Sequence, residues 1–187
     1  LQKRKNDLAT GIRCPDCHVC WESEDRAGES HRTLYTKTYE SKNPGSFAVD
    51  TPATFIELEL TNKCNLACVY CGPQLSSRWQ KELKERYPDT EDEIFHKVME
   101  LFTEYCNTKL TDAPYINISL LGGEPFFTDH MYIFLEYLSE FHDNLSSDQE
   151  LTVTITTGMA FPTHKLDKFI ELVERTPNIT YVMQLSG

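Results

Sequence analysis

The chain changes character near residue 54. From there apolar and polar positions fall into a repeating order. Phe55-Ile56-Glu57-Leu58-Glu59-Leu60 alternates and reads as a strand, because successive side chains of a strand face opposite ways. Helical spacing then covers roughly 75–87 and 91–107. In the second stretch Ile94, Val98, Leu101, Phe102 and Tyr105 make an apolar face, and Thr90 with Glu93 fits a capping box. Pro114 precedes a second strand, Tyr115–Leu121, which Gly122-Gly123-Glu124-Pro125 interrupts. A helix over about 128–144 carries Met131, Phe134, Leu135, Leu138 and Phe141 on one side. Leu151–Thr157 is a β-branched strand ended by Gly158. Thr163–Thr176 reads as a helix with Leu166, Phe169, Ile170 and Val173 facing in, and Ile179–Leu185 as a last strand.

Strands alternating with helices imply an α/β fold, built from right-handed crossovers around a parallel sheet. In such folds the loops after strand C-termini carry the chemistry. Residues 1–50 differ: they are polar, with little apolar periodicity. The charged stretch from Glu22 to Glu40 predicts a helix broken or bent near Gly28, and Glu22 to Arg32 reads as a solvated helical face. Asn43-Pro44-Gly45 is a turn signal and a boundary, dividing the chain into 1–50 and 51–187.

Composition narrows the function classes. The 187 residues suffice for one domain, or one domain with a small appendage. Hydrophobic residues are 40% and charged residues 25%, an ordinary globular balance without any run of 18 apolar residues, which argues against a membrane span. Lys and Arg number 18 against 29 Asp and Glu, leaving a net charge of −11 and arguing against a nucleic-acid partner. The Lys3-Arg4-Lys5 run is too short to change that. The start at Leu1 is polar and basic, without an apolar leader, and both ends are expected to be cut from a longer chain.

Seven cysteines cannot all pair with one another. Cys14, Cys17 and Cys20 form C-x2-C-x2-C, and Cys64, Cys68 and Cys71 form C-x3-C-x2-C. Such short spacings suit metal ligation better than bridging. Cys106 stands alone in a helical pattern and reads as a small buried hydrophobe. Three thiolates on one loop can hold three corners of a 4Fe–4S cube and leave the fourth iron open, whereas structural sites take four protein ligands.

At this point the chain resembles the radical S-adenosylmethionine (radical SAM) superfamily. Thr61-Asn62-Lys63-Cys64-Asn65-Leu66-Ala67-Cys68-Val69-Tyr70-Cys71 looks like its signature loop, and Leu121-Gly122-Gly123-Glu124-Pro125 like its glycine-rich motif after the second strand. The resemblance covers about 54–187. It implies a partial TIM-type (β/α) barrel, seen here as four strands of a six-strand fold. It implies that Cys64, Cys68 and Cys71 bind a 4Fe–4S cluster and that S-adenosylmethionine chelates its fourth iron. Gly122, Gly123 and Glu124 would then receive the methionine amine, and Tyr70 would lie near the adenine. Thr156 and Thr157 would face the ribose, with Ser186 a further residue of that pocket. Reduction of the cofactor by a small donor such as ferredoxin or flavodoxin would yield a 5′-deoxyadenosyl radical that takes a hydrogen atom from a substrate.

Cys14 to Cys20 leaves the metal open: a zinc knuckle with His18, or part of a second iron–sulfur cluster. Cys17, Cys20, Glu24, Gly28, Ser30 and Arg32 resemble a segment of radical SAM proteins with a twitch domain, as does Ser76-Ser77-Arg78-Trp79 after Cys71-Gly72-Pro73. That likeness favours a cytoplasmic enzyme acting on a peptide or protein. The competing reading is a non-catalytic module whose cysteines hold zinc or an electron-transfer cluster.

Overall fold

A computed structural model describes residues 2–42, 52–85 and 92–186. The Asn43-Pro44-Gly45 turn, the Thr90–Glu93 capping box and the side chain of Ile94 lie outside the described residues. The chain forms two compact units, Leu1–Pro52 and Ala53–Gly187.

The first unit holds α1 (Gln2–Ala9), a short 3-10 turn at Pro15–Cys17, α2 (His18–Ala27) and α3 (His31–Lys42). Of the two expectations for Gly28, a break or a bend, the structure shows the break. Gly28 takes φ +71 and its N–H returns to Glu24 O, a left-handed helix cap that glycine adopts without a Cβ penalty. Arg32 forms an ion pair with Glu24 at 2.6 Å, and Ser30 Oγ donates to the same carboxylate at 2.6 Å. Arg32 also lies over the Trp21 ring at 4.3 Å. The Glu, Gly, Ser and Arg of this segment thus form one clamp between α2 and α3.

The second unit is an α/β layer. Its strands are β1 (Phe55–Glu59), β2 (Tyr115–Leu121), β3 (Glu150–Thr157) and β4 (Ile179–Leu185), all parallel and in the order β1-β2-β3-β4. Between them run α4 (Ser77–Leu83), α5 (Asp92–Tyr105), α6 (His130–His142) and α7 (Thr163–Arg175). An order that advances steadily, with crossovers of one hand, puts the helices on one face. A four-stranded sheet of this kind is consistent with a section of a barrel.

The register explains the two faces. Ile118 pairs with Val153, and Leu120 with Ile155; all four are buried. They meet Phe102, Phe134, Leu135, Leu138 and Phe169 in one apolar core. The alternate positions Asn117, Ser119, Thr152, Thr154 and Thr156 are only half-buried, and Glu57 and Glu59 are exposed. The sheet therefore has an apolar helix side and a polar open side.

Two apolar positions depart from expectation. Leu101 is 54% exposed and Ile170 46%. Each sits one helical step, about 100°, beyond a buried neighbour (Phe102, Phe169), and the stripe instead runs through Phe95 on α5, Cys106 just past its end, and Leu172 on α7. Helix α4 is shorter than its pattern, ending where Lys84 takes φ +55. Past Tyr105 the chain widens into a π-turn over Cys106–Leu110. Cys106 is fully buried there, and burial pushes its thiol up to about 11, as its reading as a core residue requires.

Candidate functional site

The sequence-predicted residues of the second unit gather at the C-terminal ends of its strands. The loop from Thr61 to Leu75 leaves β1 and carries Cys64, Cys68 and Cys71. The start of α4 holds it in shape. Ser77 Oγ accepts from Cys64 N–H and donates to Cys64 O, both at 3.0 Å. Ser76 Oγ donates to Leu66 O at 2.7 Å and receives the Trp79 N–H as helix cap. Trp79 Nε1 donates to Cys68 O at 3.0 Å, and Gln80 Nε2 to Pro73 O at 2.9 Å. A loop without regular structure must satisfy its backbone groups somehow, and here four of the five side chains from Ser76 to Gln80 do so. Ser76, Ser77 and Trp79 were visible as part of a motif, but their task was not, and Gln80 carried no signal in the sequence.

The Gly-Gly-Glu loop after β2 is stapled to this cysteine loop. Glu124 N–H donates to Lys63 O at 2.9 Å and Gly123 N–H to Leu75 O at 3.0 Å. The glycines are needed for this approach. Gly122 and Gly123 take φ +78 and +41, and a Cβ on Gly123 would lie 2.6 Å from Lys63 O and 2.8 Å from Thr61 O. Gly123→Ala is accordingly expected to cost about 1–3 kcal/mol, from backbone strain and displacement of the cysteine loop. A lowered thermal midpoint of the iron-free protein, with reduced iron uptake, is the measurement that checks it.

The loop after β3 closes on the same place. Asn65 Nδ2 donates to Ala160 O at 2.9 Å, and Ser186 N–H, at the end of β4, to Thr157 O at 3.0 Å. Thr156 stands half-buried on the open face of the sheet. Thr157 is buried at 1% exposure, with its hydroxyl donating to Glu124 Oε1 at 2.7 Å and accepting from Met159 N–H at 3.0 Å. Tyr70 projects from the cysteine loop at 65% exposure. The structure thus brings Cys64, Cys68, Cys71, Gly122, Gly123, Glu124, Thr157 and Ser186 into one loop cluster, and keeps Thr156 and Tyr70 at its surface.

The three thiols are free and half-buried. Burial raises Cys64 above its ordinary value, with Glu124 and Cys68 adding to the shift and the Leu66 N–H opposing it. Burial likewise raises Cys71, again with Cys68 adding. Both shifts disfavour the thiolate, a cost that a bound cation offsets. Leu66 N–H points at Cys64 Sγ at 3.4 Å, a contact suited to a ligating thiolate. Among the described residues no three His, Cys, Asp or Glu side chains are set around a common point as metal ligands. The set fits an iron–sulfur cluster by its chemistry and by its place on one loop.

The N-terminal cysteines repeat two local features. Cys17 N–H donates to Cys14 O at 3.0 Å, as Cys71 N–H does to Cys68 O. Trp21 Nε1 donates to Cys14 O at 3.1 Å, as Trp79 does to Cys68 O. Burial raises the Cys17 thiol, and Cys14 and Cys20 raise it further. His18 Nδ1 is turned to Pro15 O at 3.2 Å, one ring nitrogen engaged with backbone.

No family model matches the chain, and no solved structure matches it. A GTP 3′,8-cyclase of Campylobacter lari is 27% identical over 104 residues, a stretch that is 56% of this chain and 27% of that protein. The chain therefore spans only about a quarter of the curated relative it matches. No described helix is long and apolar enough to cross a membrane.

Proposed function

We propose that residues 54–187 are part of a radical SAM enzyme. One observation carries this reading: the C-x3-C-x2-C loop after β1 and the Gly-Gly-Glu loop after β2 are bonded to each other at strand C-termini. The partial similarity to the cyclase, a radical SAM enzyme, supports it at a coarse level. When bound, a 4Fe–4S cluster and S-adenosylmethionine would supply one-electron cleavage of the sulfonium and removal of a hydrogen atom from a substrate.

The chain's own residues have distinct tasks in this reading. Cys64, Cys68 and Cys71 hold the cluster, and α4 fixes the loop that presents them. The Gly122-Gly123 backbone receives the methionine amine. Tyr70 and Thr156, both accessible, face the adenosyl part, with Ser186 at the rim. The polar open side of the sheet, with Ser119, Thr154 and Glu57, is the wall for a polar substrate, a peptide or protein, and a ferredoxin or flavodoxin supplies the electron.

Anaerobic reconstitution with iron and sulfide should give a brown protein with about four irons per chain. Dithionite should then release 5′-deoxyadenosine from S-adenosylmethionine. Zinc without iron, and no binding of S-adenosylmethionine, would favour the non-catalytic module instead. The shared tryptophan contact and cysteine turn extend the proposal to Cys14, Cys17 and Cys20 as a second metal site. An iron content of about eight assigns it a cluster, whereas about four with one zinc assigns it zinc.

A further inference from the structure

The Glu124 carboxylate is the most enclosed charged group of the site. It is 1% exposed, although it belongs to a loop whose resemblance would give it to a ligand. Most of its acceptor capacity is taken up inside the protein. Oε1 accepts from Thr157 Oγ1 at 2.7 Å and from Phe126 N–H at 3.3 Å, and Oε2 from Gly158 N–H at 3.0 Å. A carboxylate has about four lone-pair sites, and three are filled by donors from its own chain. The same residue's N–H reaches Lys63 O in the cysteine loop.

Its partners lead back to the cysteines. A Cβ on Gly158 would run into Leu66 Cδ1, so the β3 loop packs directly on the segment between Cys64 and Cys68. Asn65, in that segment, is bonded to Ala160 O. A buried carboxylate bonded to two N–H groups and a hydroxyl is a strong node, because hydrogen bonds to ionised groups are worth about twice neutral ones.

We infer that Glu124 is a positioning residue. It locks residues 157–160 after β3 to the Gly-Gly-Glu loop, and through Leu66 and Asn65 sets the cysteine loop, instead of contacting the methionine ammonium itself. The inference rests on the radical SAM reading for its ligand, but its lock belongs to the chain alone.

The test therefore has an iron-free arm. Glu124→Gln leaves one acceptor oxygen and sets an NH2 among donors. Thr157→Val removes one donor and has no group for an ammonium. Both variants should speed amide exchange at residues 158–160 about tenfold, while Thr157→Ser, which keeps the hydroxyl, restores it. Unchanged exchange in Glu124→Gln would overturn the inference. The second arm uses reconstituted protein and the change that S-adenosylmethionine makes in the electron paramagnetic resonance spectrum of the reduced cluster. Positioning predicts that Glu124→Gln and Thr157→Val both weaken that change and Thr157→Ser retains it. Loss in Glu124→Gln alone, with Thr157→Val intact, is the pattern of a direct ligand contact and sinks the proposal. A wild-type chain that takes up no iron defeats the superfamily reading and leaves the exchange result to judge the lock.

Discussion

Cys68→Ala, reconstituted anaerobically, is expected to hold iron only at background and to release no 5′-deoxyadenosine. The reasoning separates ligand from scaffold. What Cys68 gives the fold is its backbone carbonyl, which receives Trp79 Nε1 at 3.0 Å and the Cys71 N–H at 3.0 Å. Alanine keeps that carbonyl. The half-buried side chain is the part removed, and with it one of three thiolates. Two ligands on a short loop cannot retain a cube that three hold, because cluster sites depend on their full cysteine set. The iron-free variant should therefore keep its circular dichroism spectrum and its melting midpoint, within the small change of a substitution away from the core. Retained 5′-deoxyadenosine release would remove Cys68 from the site and with it the proposed chemistry.

Phe126→Ala is expected to be the most damaging single change to stability among those considered. Phe126 is fully buried directly after the Glu124-Pro125 step. Its ring stacks on Phe161 at 4.2 Å and meets Phe169 edge-on at 5.3 Å and Tyr132 at 6.4 Å. It thereby ties the Gly-Gly-Glu loop to the β3 loop and to α6 and α7. Truncation removes the ring's transfer energy and leaves a cavity among rigid neighbours, a cost of about 3–5 kcal/mol. For a chain of this size that is a fall of roughly 10 °C in melting midpoint, followed by calorimetry of the iron-free protein. Alanine keeps the N–H that donates to Glu124, but without the ring's contacts the segment that carries it is less firmly held, so iron uptake should fall. A midpoint within a degree of wild type would show that this aromatic cluster does not carry the core.

Much of the fold was legible because it is periodic. The strands Tyr115–Leu121 and Ile179–Leu185 lie where the sequence reading placed them, and the five apolar positions named on α6 are all buried. Periodicity fails at the margins of a stripe. Leu101 and Ile170 are apolar, yet sit at its edge, and only the neighbouring helix or strand decides where that edge falls. Lys84 ended α4 through a left-handed backbone conformation that its residue type does not announce. The cysteine spacing was plain in the sequence. The work of Asn65, Ser76, Ser77, Trp79 and Gln80 was not, since each serves a backbone group, and backbone groups leave no mark in a sequence.

The sequence by itself determined the β-α order, the loop after β1 that bears Cys64, Cys68 and Cys71, and the donor chemistry of those three thiols at a strand end. Those are short-range properties: period, spacing and residue type act over a few positions. The tertiary structure alone decided which motifs meet. It set Glu124 N–H on Lys63 O, turned the Glu124 carboxylate inward to Thr157 and Gly158, and left Thr156 on the open face. The reason is that parallel pairing brings the ends of β1, β2 and β3 side by side, so partners far apart in the chain become neighbours through the sheet. Whether a carboxylate there faces a ligand or its own backbone depends on burial, which emerges only when those strands pack.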